Sequence, residues 1–408
     1  MLGHYGNVSD AKLKSMAQHR DFILRDLAVN EVVATDIDEA LGLSLAQTVT
    51  ATISLPPFAN SAMDGYAVRA QDVASVPVVL PVNDDLPAGS AADRPLLPGT
   101  AHRIMTGAPL PPGADAVVRV EWTDAGTSHV RIDRSVVAGA EVRPLGDDVS
   151  VGDELGRPGQ EIGPADISLF ASLGLRRINA YRPPRVAVVA TGDELTAVGA
   201  ALKAGAIFDS NSHLMAALVR SSGAEVASSA CLSDEVSLAQ ESLIEIAQRA
   251  DLVVTMGGIS AGAYEVVKEV FAELGGVAFA SVAVQPGKPQ GFGFLNRTPV
   301  ITLPGNPVSA LVSFELFVRP ALRKIGGFTD FDRPRVRAQT TTALAVSRDR
   351  TRYLAGTLDS LRGVVAPASR RGSHLVAQVA GANCLVEVPA GLDDVAAGSF
   401  VEVLWLGS

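Results

Sequence analysis

Apolar residues change their spacing several times along this 408-residue chain, and each change marks a different kind of structure. Leu13, Met16, Phe22, Ile23 and Leu27, then Ala40, Leu43 and Leu45, recur at roughly helical intervals, which predicts two helical segments within residues 9–51. From 52 to about 146 the texture becomes short β-branched runs, Val76–Leu80, Ala116–Val120 and Val130–Ile132, separated by turns such as LPAG and LPPGAD. That pattern predicts a small β domain. GPADISLFASLGL, 163–175, reads as a helix with Pro164 near its start and Gly174 at its end, and RPPR at 182–185 reads as a linker.

From 186 to about 327, apolar strands alternate with amphipathic helices: VAVVA, SHLMAALVRSSG, AEVASSACL, SLAQESLIEIAQRA, DLVVTM and onward to VITL. This is the βαβ rhythm of a parallel sheet. After Gly327 strand-like runs return in RVRAQTTTALAV, RYLAGTL, HLVAQV, NCLVEV and FVEVLWL, which predict a closing barrel or sandwich. The expected organisation is multidomain α/β plus β. It comprises a discontinuous, mainly helical unit (1–51 with 147–183), a small β domain (52–146), an α/β domain (184–328) and a C-terminal β domain (329–408).

Composition narrows the function. Hydrophobic residues make up 47% and charged residues 19%, enough to fill several cores, and the net charge of −10 argues against broad nucleic-acid or membrane-surface binding. No apolar run approaches the ~18 residues of a membrane span, and the first residues lack the apolar core of a signal peptide, so the cytosol is the expected compartment. Cys231 and Cys384 are far apart and have no histidine at ligand spacing, which predicts core roles for both. The six histidines are scattered, leaving carboxylate-bound Mg²⁺ as the metal the sequence allows.

The chemistry concentrates at strand ends. In ITLPGNPVSALVSFELFV, 301–318, an apolar strand meets a Pro-Gly-Asn-Pro turn and then an apolar-faced helix. Asn306 suits the N-cap and Pro307 the first helical position, so the following amides should face an anion. The same order of strand, tight loop and helix recurs at 186–195 (VAVVATGDEL) and 252–268 (LVVTMGGISAGAYEVVK). In an open parallel sheet such loops converge on one crevice.

Each motif also admits a plainer reading. Asp64, in PFANSAMDGYAVR, suits a hairpin turn as well as a site. Thr106 and Gly107, in RIMTGAPLPPGA, suit an oxyanion or a proline-rich loop. Asp193 or Glu194 stands where a Mg²⁺ bridging phosphates would be held, or caps a turn. The glycines of MGGISAG, with Ser260, let amides approach an anion; Glu265 and Lys268 follow as a catalytic or merely solvated pair. Lys288, fixed between prolines in QPGKPQ, is a point charge for phosphate or a solvated loop lysine.

In combination the motifs are more specific. NSAMDGYAV, RIMTGAPLPPGAD, VATGDEL, IFDSNS, TMGGISAG, PGKPQGFG, LPGNPVSA and RRGSH, in this order, closely resemble the molybdopterin molybdenumtransferase family, to which the gephyrin C-terminal domain also belongs. The resemblance runs from about residue 20 to the end. It implies an L-shaped homodimer of four-domain chains, with a central three-layer α/β domain like that of molybdopterin adenylyltransferases and a C-terminal β-barrel. It implies insertion of molybdenum from molybdate into adenylylated molybdopterin, with Mg²⁺-dependent release of AMP. A molybdopterin adenylyltransferase and molybdoenzyme apoproteins are the partners it suggests.

Carried over by position, Asp64 and Thr106 would act from the β domain across the dimer interface, joined by Asp148 of LGDDVS. Glu194, Asp234 of LSDE, Lys288, Pro304 and Pro307 match positions of the central cleft, and Ser373 would come from the C-terminal barrel. Glu194 and Asp234, with Glu265, would position Mg²⁺ or the attacking oxygen. Lys288 and the loop residues Asp209, Asn211, Gly257, Gly258, Ser260, Gly262, Gly305 and Asn306 would hold substrate. Departures from the family pattern are Glu265 for Asp, Ser281 and Gln285 where some members carry lysine, and Leu43 and Ala59 for polar residues. An adenylyltransferase-like enzyme and a non-catalytic scaffold remain the alternatives.

Overall fold

The computed structural model of the chain describes residues 13–259, 265–370, 372–391 and 393–407. At its centre a six-stranded sheet runs in the order Glu225–Leu232, Arg185–Thr191, Leu252–Met256, Thr298–Leu303, Pro289–Leu295, Val277–Ser281. The first four strands are mutually parallel, as the βαβ rhythm predicts. The last two are antiparallel to their neighbours. Asn296, at φ +56°, turns the chain back between 289–295 and 298–303, and so short a connection joins only antiparallel strands.

Helices cover both faces of this sheet. Met215 and Val219 of Asn211–Ser221, with Leu311, Phe314 and Phe317 of the helix begun at Pro307, pack on one face. Ala239 and Leu243 of Val236–Ala247, with Val267, Val270 and Phe271 of Val266–Leu274, pack on the other. Strand residues therefore alternate between two apolar layers and are buried on both sides: 186–191 is without exposed positions.

The C-terminal region closes into a barrel of five strands, in the order Thr351–Asp359, Val364–Pro367, Arg335–Thr340, Phe400–Trp405, Cys384–Val388, with the last paired back to the first. The expected strand HLVAQV is instead a turn and the short helix Ala377–Ala380, outside the ladder. Val364–Pro367 completes the barrel and was not read as a strand, being four residues long and ending in proline. Val284–Gln285 pairs with Thr351–Arg352 and ties the barrel to the central unit.

The small β region forms a five-stranded sheet in the order Ala116–Arg119, Gly65–Val68, Ala101–Ile104, Val78–Leu86, His129–Ile132. The N-terminal expectation needs correction. Met16–Arg25 is a helix, closed by a Ser15/Gln18 capping box, but 40–51 is not. Val32–Asp36 pairs instead with Arg177–Tyr181, and Val49–Thr50 with Glu154–Gly156, so this part is mixed rather than mainly helical. Ala40 and Leu45 are buried as their spacing suggests, but against Phe170 and Ile178 of the partner segment, and Gly42 at φ +77° interrupts any helix between them. No described helix is long and apolar enough to cross a membrane.

The first helix packs on the central core through Ile23 and Leu27. Between them and the long helix lies His19, fully buried, edge-on to Phe317 at 5.0 Å, with neither ring nitrogen hydrogen-bonded. Burial, reinforced by the Lys14 charge, pushes its pKa down to about 3. The unfolded chain thus binds a proton more readily than the folded one from pH 6.5 downward, and stability falls as pH falls through that window. Between pH 6.5 and 5.5 the loss from this site is about 1 kcal/mol. His19→Leu should flatten that part of the stability profile, measured by thermal unfolding at each pH; an unchanged slope would contradict it.

Candidate active site

The three loops singled out by the sequence do converge. They follow the adjacent parallel strands 185–191, 252–256 and 298–303, and their carboxyl ends open into a cleft of about 740 Å³. Glu194, Asp209, Asn211, Asp234, Gly257, Gly258, Glu265 and the turn Pro304–Pro307 line it. Close backbone approach requires glycine here. Gly257 has φ +95°, and a Cβ at that position would lie 2.7 Å from Thr191 Oγ1; one at Gly305 would lie 3.3 Å from Gly257 Cα. The Gly257 amide donates to the Leu303 carbonyl at 3.0 Å, locking two of the loops together.

The described walls of this cleft carry four carboxylates, Glu194, Asp209, Asp234 and Glu265, and no lysine or arginine. Asp193 and Asp234 tie two strand ends reciprocally: the Asp193 amide donates to Asp234 Oδ2 at 3.1 Å, and the Asp234 amide to Asp193 Oδ1 at 3.3 Å. Asp193 is therefore the turn-fixing residue, while Glu194 faces the cleft and makes no ion pair among the described residues. Asp209 Oδ1 accepts from the Ser212 amide at 3.0 Å and fixes the start of helix 211–221. Asn211 Nδ2 reaches the Gly305 carbonyl at 2.6 Å. The negative field is shared: burial first, then Asp209, Glu194, Asp193 and Asp234, raises the pKa of the neighbouring Cys231 thiol. Cys231 is exposed rather than in the core; Cys384 is buried as expected.

A second pocket, of about 400 Å³, adjoins the cleft and shares Gly287, Pro289 and Ser309 with it. Its polarity is opposite. Lys288 lines this pocket rather than the carboxylate cleft, together with Arg352, Arg370 and Ser373 from the barrel. Gln285, one of the departures from lysine, lies in the same wall. Arg352 and Arg370 were missed by the sequence reading. Arg370 had a signal, since it opens RRGSH; Arg352 is one arginine in a regular strand and had none.

Ser373 is brought to the LPGNP turn, with a consequence for the helix end. Asn306 Nδ2 donates to Ser373 Oγ at 2.9 Å, and the Val308 amide donates to the Ser373 carbonyl at 3.0 Å. Asn306 makes no side-chain cap, and Pro307 has no N–H. The expectation that this helix end offers its first free amides to an anion is corrected: the barrel takes the Val308 amide.

Asp64, Thr106 and Asp148 line neither pocket. Asp64 Oδ1 accepts from the Thr106 amide at 2.7 Å and from its hydroxyl at 2.8 Å, and these bonds, amide first, hold the exposed carboxyl below its usual range. Asp64 precedes an inner strand, so it is not a hairpin tip. Asp148 is exposed, its amide bonded to the Leu55 carbonyl at 2.9 Å. Ser260 and Gly262 lie outside the described residues. No group of three or more His, Cys, Asp or Glu among the described residues is placed to hold a metal ion.

Comparison with known proteins agrees with this architecture. Three family models match: the MoeA N-terminal region (domain I and II) over residues 14–174, the probable molybdopterin binding domain over 187–324, and the MoeA C-terminal region (domain IV) over 337–406. Molybdopterin molybdenumtransferase 2 of Mycobacterium tuberculosis is 43% identical over 401 residues, 96% of this chain and 99% of that protein. Molybdopterin molybdenumtransferase 1 of the same organism is 38% identical, over 91% of this chain and 93% of that protein. The crystal structure of a molybdopterin biosynthesis MoeA protein from Pyrococcus horikoshii superposes with a TM-score of 0.82 at 28% identity, across 97% of this chain and all of that one. The fold is that of a MoeA-type protein, a probable molybdopterin binding α/β domain joined to a C-terminal barrel. The chain belongs to the molybdopterin molybdenumtransferase (MoeA) family.

The glycine contacts give a direct test. Gly257→Ala combines positive φ with a 2.7 Å approach, whereas Gly199→Ala, at φ +89°, meets nothing within 4 Å. Denaturant unfolding should show a loss of about 2–3 kcal/mol for the first and about 1 kcal/mol for the second. Equal losses would show that the loop contact carries no constraint.

Proposed function

We propose that this chain inserts molybdenum from molybdate into adenylylated molybdopterin, releasing AMP and forming molybdenum cofactor. The observation that carries the reading is the pairing of two pockets of opposite charge across one shared wall, Gly287, Pro289 and Ser309. The cationic pocket suits a tetrahedral oxyanion: Lys288, Arg352 and Arg370 supply charge, and Ser309 and Ser373 supply hydroxyls. The larger cleft suits a phosphate-bearing organic substrate lying over glycine-rich turns. Curated relatives named for molybdenum transfer to molybdopterin, matching over nearly the whole chain, support the same reaction.

Mg²⁺ fits the cleft. Glu194 and Asp234 sit at neighbouring strand ends, and neither makes an ion pair among the described residues. Magnesium commonly takes one or two protein carboxylates and completes its shell with water and substrate phosphates, so a closed cage of side chains is not needed. Bound there it would neutralise phosphate charge and polarise the phosphoryl link. Glu265, at the N-cap of helix 266–274, stands on the same wall and would orient the attacking oxygen. Substrate thiolates take the metal being transferred, which leaves Cys231 and Cys384 without a ligand role.

A homodimer is part of the proposal: Asp64, Thr106 and Asp148 lie outside both pockets of their own chain, and the β region of a second copy would bring them to the cleft. The four-part division at 1–51 with 147–183, 52–146, 184–328 and 329–408 is part of the same proposal, supported by a hydrophobic cluster within each part, although the largest cluster joins the first helix, the α/β unit and the barrel. The cytoplasm is the proposed compartment, with a molybdopterin adenylyltransferase supplying substrate and molybdoenzyme apoproteins receiving product.

Glu194→Gln should lower single-turnover AMP release by about a hundredfold or more, and Lys288→Ala should raise the molybdate KM about tenfold. Full activity in both variants would overturn the assignment. Mixed dimers of Asp64→Asn and Glu194→Gln chains should recover one intact site of two, whereas action in cis predicts no recovery.

A further inference from the structure

We propose that the buried ion pair between Glu315 and Arg333 positions the barrel against the central unit and so sets the geometry of the cationic pocket. The functional part of this inference rests on that pocket's taking the oxyanion. Both residues are positioning residues, remote from the pocket itself.

The constraint originates in the helix that starts at Pro307. Its residues Phe314–Val318 take the wider π winding before α-helical geometry resumes at Arg319–Ile325. Pro320 explains this: it has no N–H for the Leu316 carbonyl, and its ring crowds that carbonyl. The wide turn holds Glu315 with its side chain only 1% exposed. A carboxylate so placed is costly unless paired. Arg333 pairs it through both oxygens, Nε at 3.0 Å and Nη2 at 3.2 Å, and is itself 16% exposed.

Arg333 belongs to the segment 328–334, which leads directly into the first barrel strand, Arg335–Thr340. Three further guanidinium groups hold the same segment. Arg319 donates to the Phe331 carbonyl at 2.8 Å, Arg323 donates to the Asp330 carbonyl, and Arg20 of the first helix forks onto Asp332 at 2.7 and 3.0 Å. On the barrel side, Arg335 bonds Glu387, which stands opposite Tyr353 in the ladder. Tyr353 and its neighbour Arg352 line the cationic pocket. Two ion pairs, the backbone from Arg333 to Arg335 and the Glu387–Tyr353 strand pairing thus link the π turn to the pocket's barrel wall.

That wall has to be placed accurately. Lys288 and Ser309 come from the central unit, Arg352, Arg370 and Ser373 from the barrel, and one small anion must meet both sets. A shift of an ångström between the two bodies would separate them. Buried ion pairs add little net stability over apolar replacements of similar size, so a positional role explains this one better than a stabilising role does.

The test uses Glu315→Leu/Arg333→Met, an apolar pair of similar volume, in the full-length chain. Spin labels on cysteines placed at the exposed positions Leu238 and Leu361, in a Cys231→Ser background, report the distance between central unit and barrel. The expected result is a broadened or shifted distance distribution and molybdate binding weakened about tenfold by calorimetry. AMP affinity, which reads the other cleft, should be unchanged. Arg333→Lys, which keeps the charge without the fork, should fall between and serves if the double variant does not fold. An unchanged distance distribution in a folded variant overturns the positioning role. Equal weakening of AMP and molybdate binding also overturns it, pointing to general destabilisation. Failure of the unaltered protein to bind molybdate overturns the pocket reading, while the distance measurement still judges the clamp.

Discussion

Three strand-end loops can share one cleft only where backbone meets backbone, and that constraint underlies the rest of this structure. Gly257 lies against Thr191 on one side and Gly305 on the other. A β-carbon at Gly257 would collide with Thr191 beside the turn that presents Glu194, and one at Gly305 would sit tight against Gly257. Parallel pairing in turn sets this edge: neighbouring strands all end at the same level, so their loops are forced together rather than distributed over two edges. Hydrogen bonds then fix what sterics allow, from Gly257 to Leu303, from Asn211 to Gly305, and between Asp193 and Asp234.

Separation of charge is the second organising feature. Carboxylates lining a cleft with no lysine or arginine in its described walls repel a bare phosphate but welcome a metal-bound one; a pocket of lysine and arginine does the reverse for a small oxyanion. Placing the two sets together would let them pair and neutralise each other. The shared wall of Gly287, Pro289 and Ser309 keeps them adjacent without contact. The barrel contributes half of one pocket and also closes the other, because Ser373 caps the helix that the LPGNP turn begins. In the proposed reaction, orientation of the barrel is part of the chemistry, and the ionic contacts of residues 328–335 would set it.

Much of this was legible in the residues. The alternating strands and helices, the converging loops and the separate β regions all follow from periodicity and turn chemistry, which are local. What escaped was nonlocal. Residues 40–51 have helical spacing, but Val32–Asp36 and Val49–Thr50 find strand partners more than a hundred residues away. HLVAQV has strand composition but no free edge to join. Lys288 was placed in the right neighbourhood and the wrong pocket, because sequence order cannot tell which side of a shared wall a side chain faces. Arg352 carries no motif and is recognisable only after the barrel brings it beside Lys288. The Val308 amide looked free because its acceptor, the Ser373 carbonyl, is supplied from another part of the fold.

The most direct test of the central claim is a single-turnover reaction of the purified chain with adenylylated molybdopterin, molybdate and Mg²⁺, following AMP release and reconstitution of an apo-molybdoenzyme together. Molybdate-dependent AMP release that coincides with active cofactor is the predicted result. Tight binding of both substrates without turnover, or AMP release indifferent to molybdate, would contradict it.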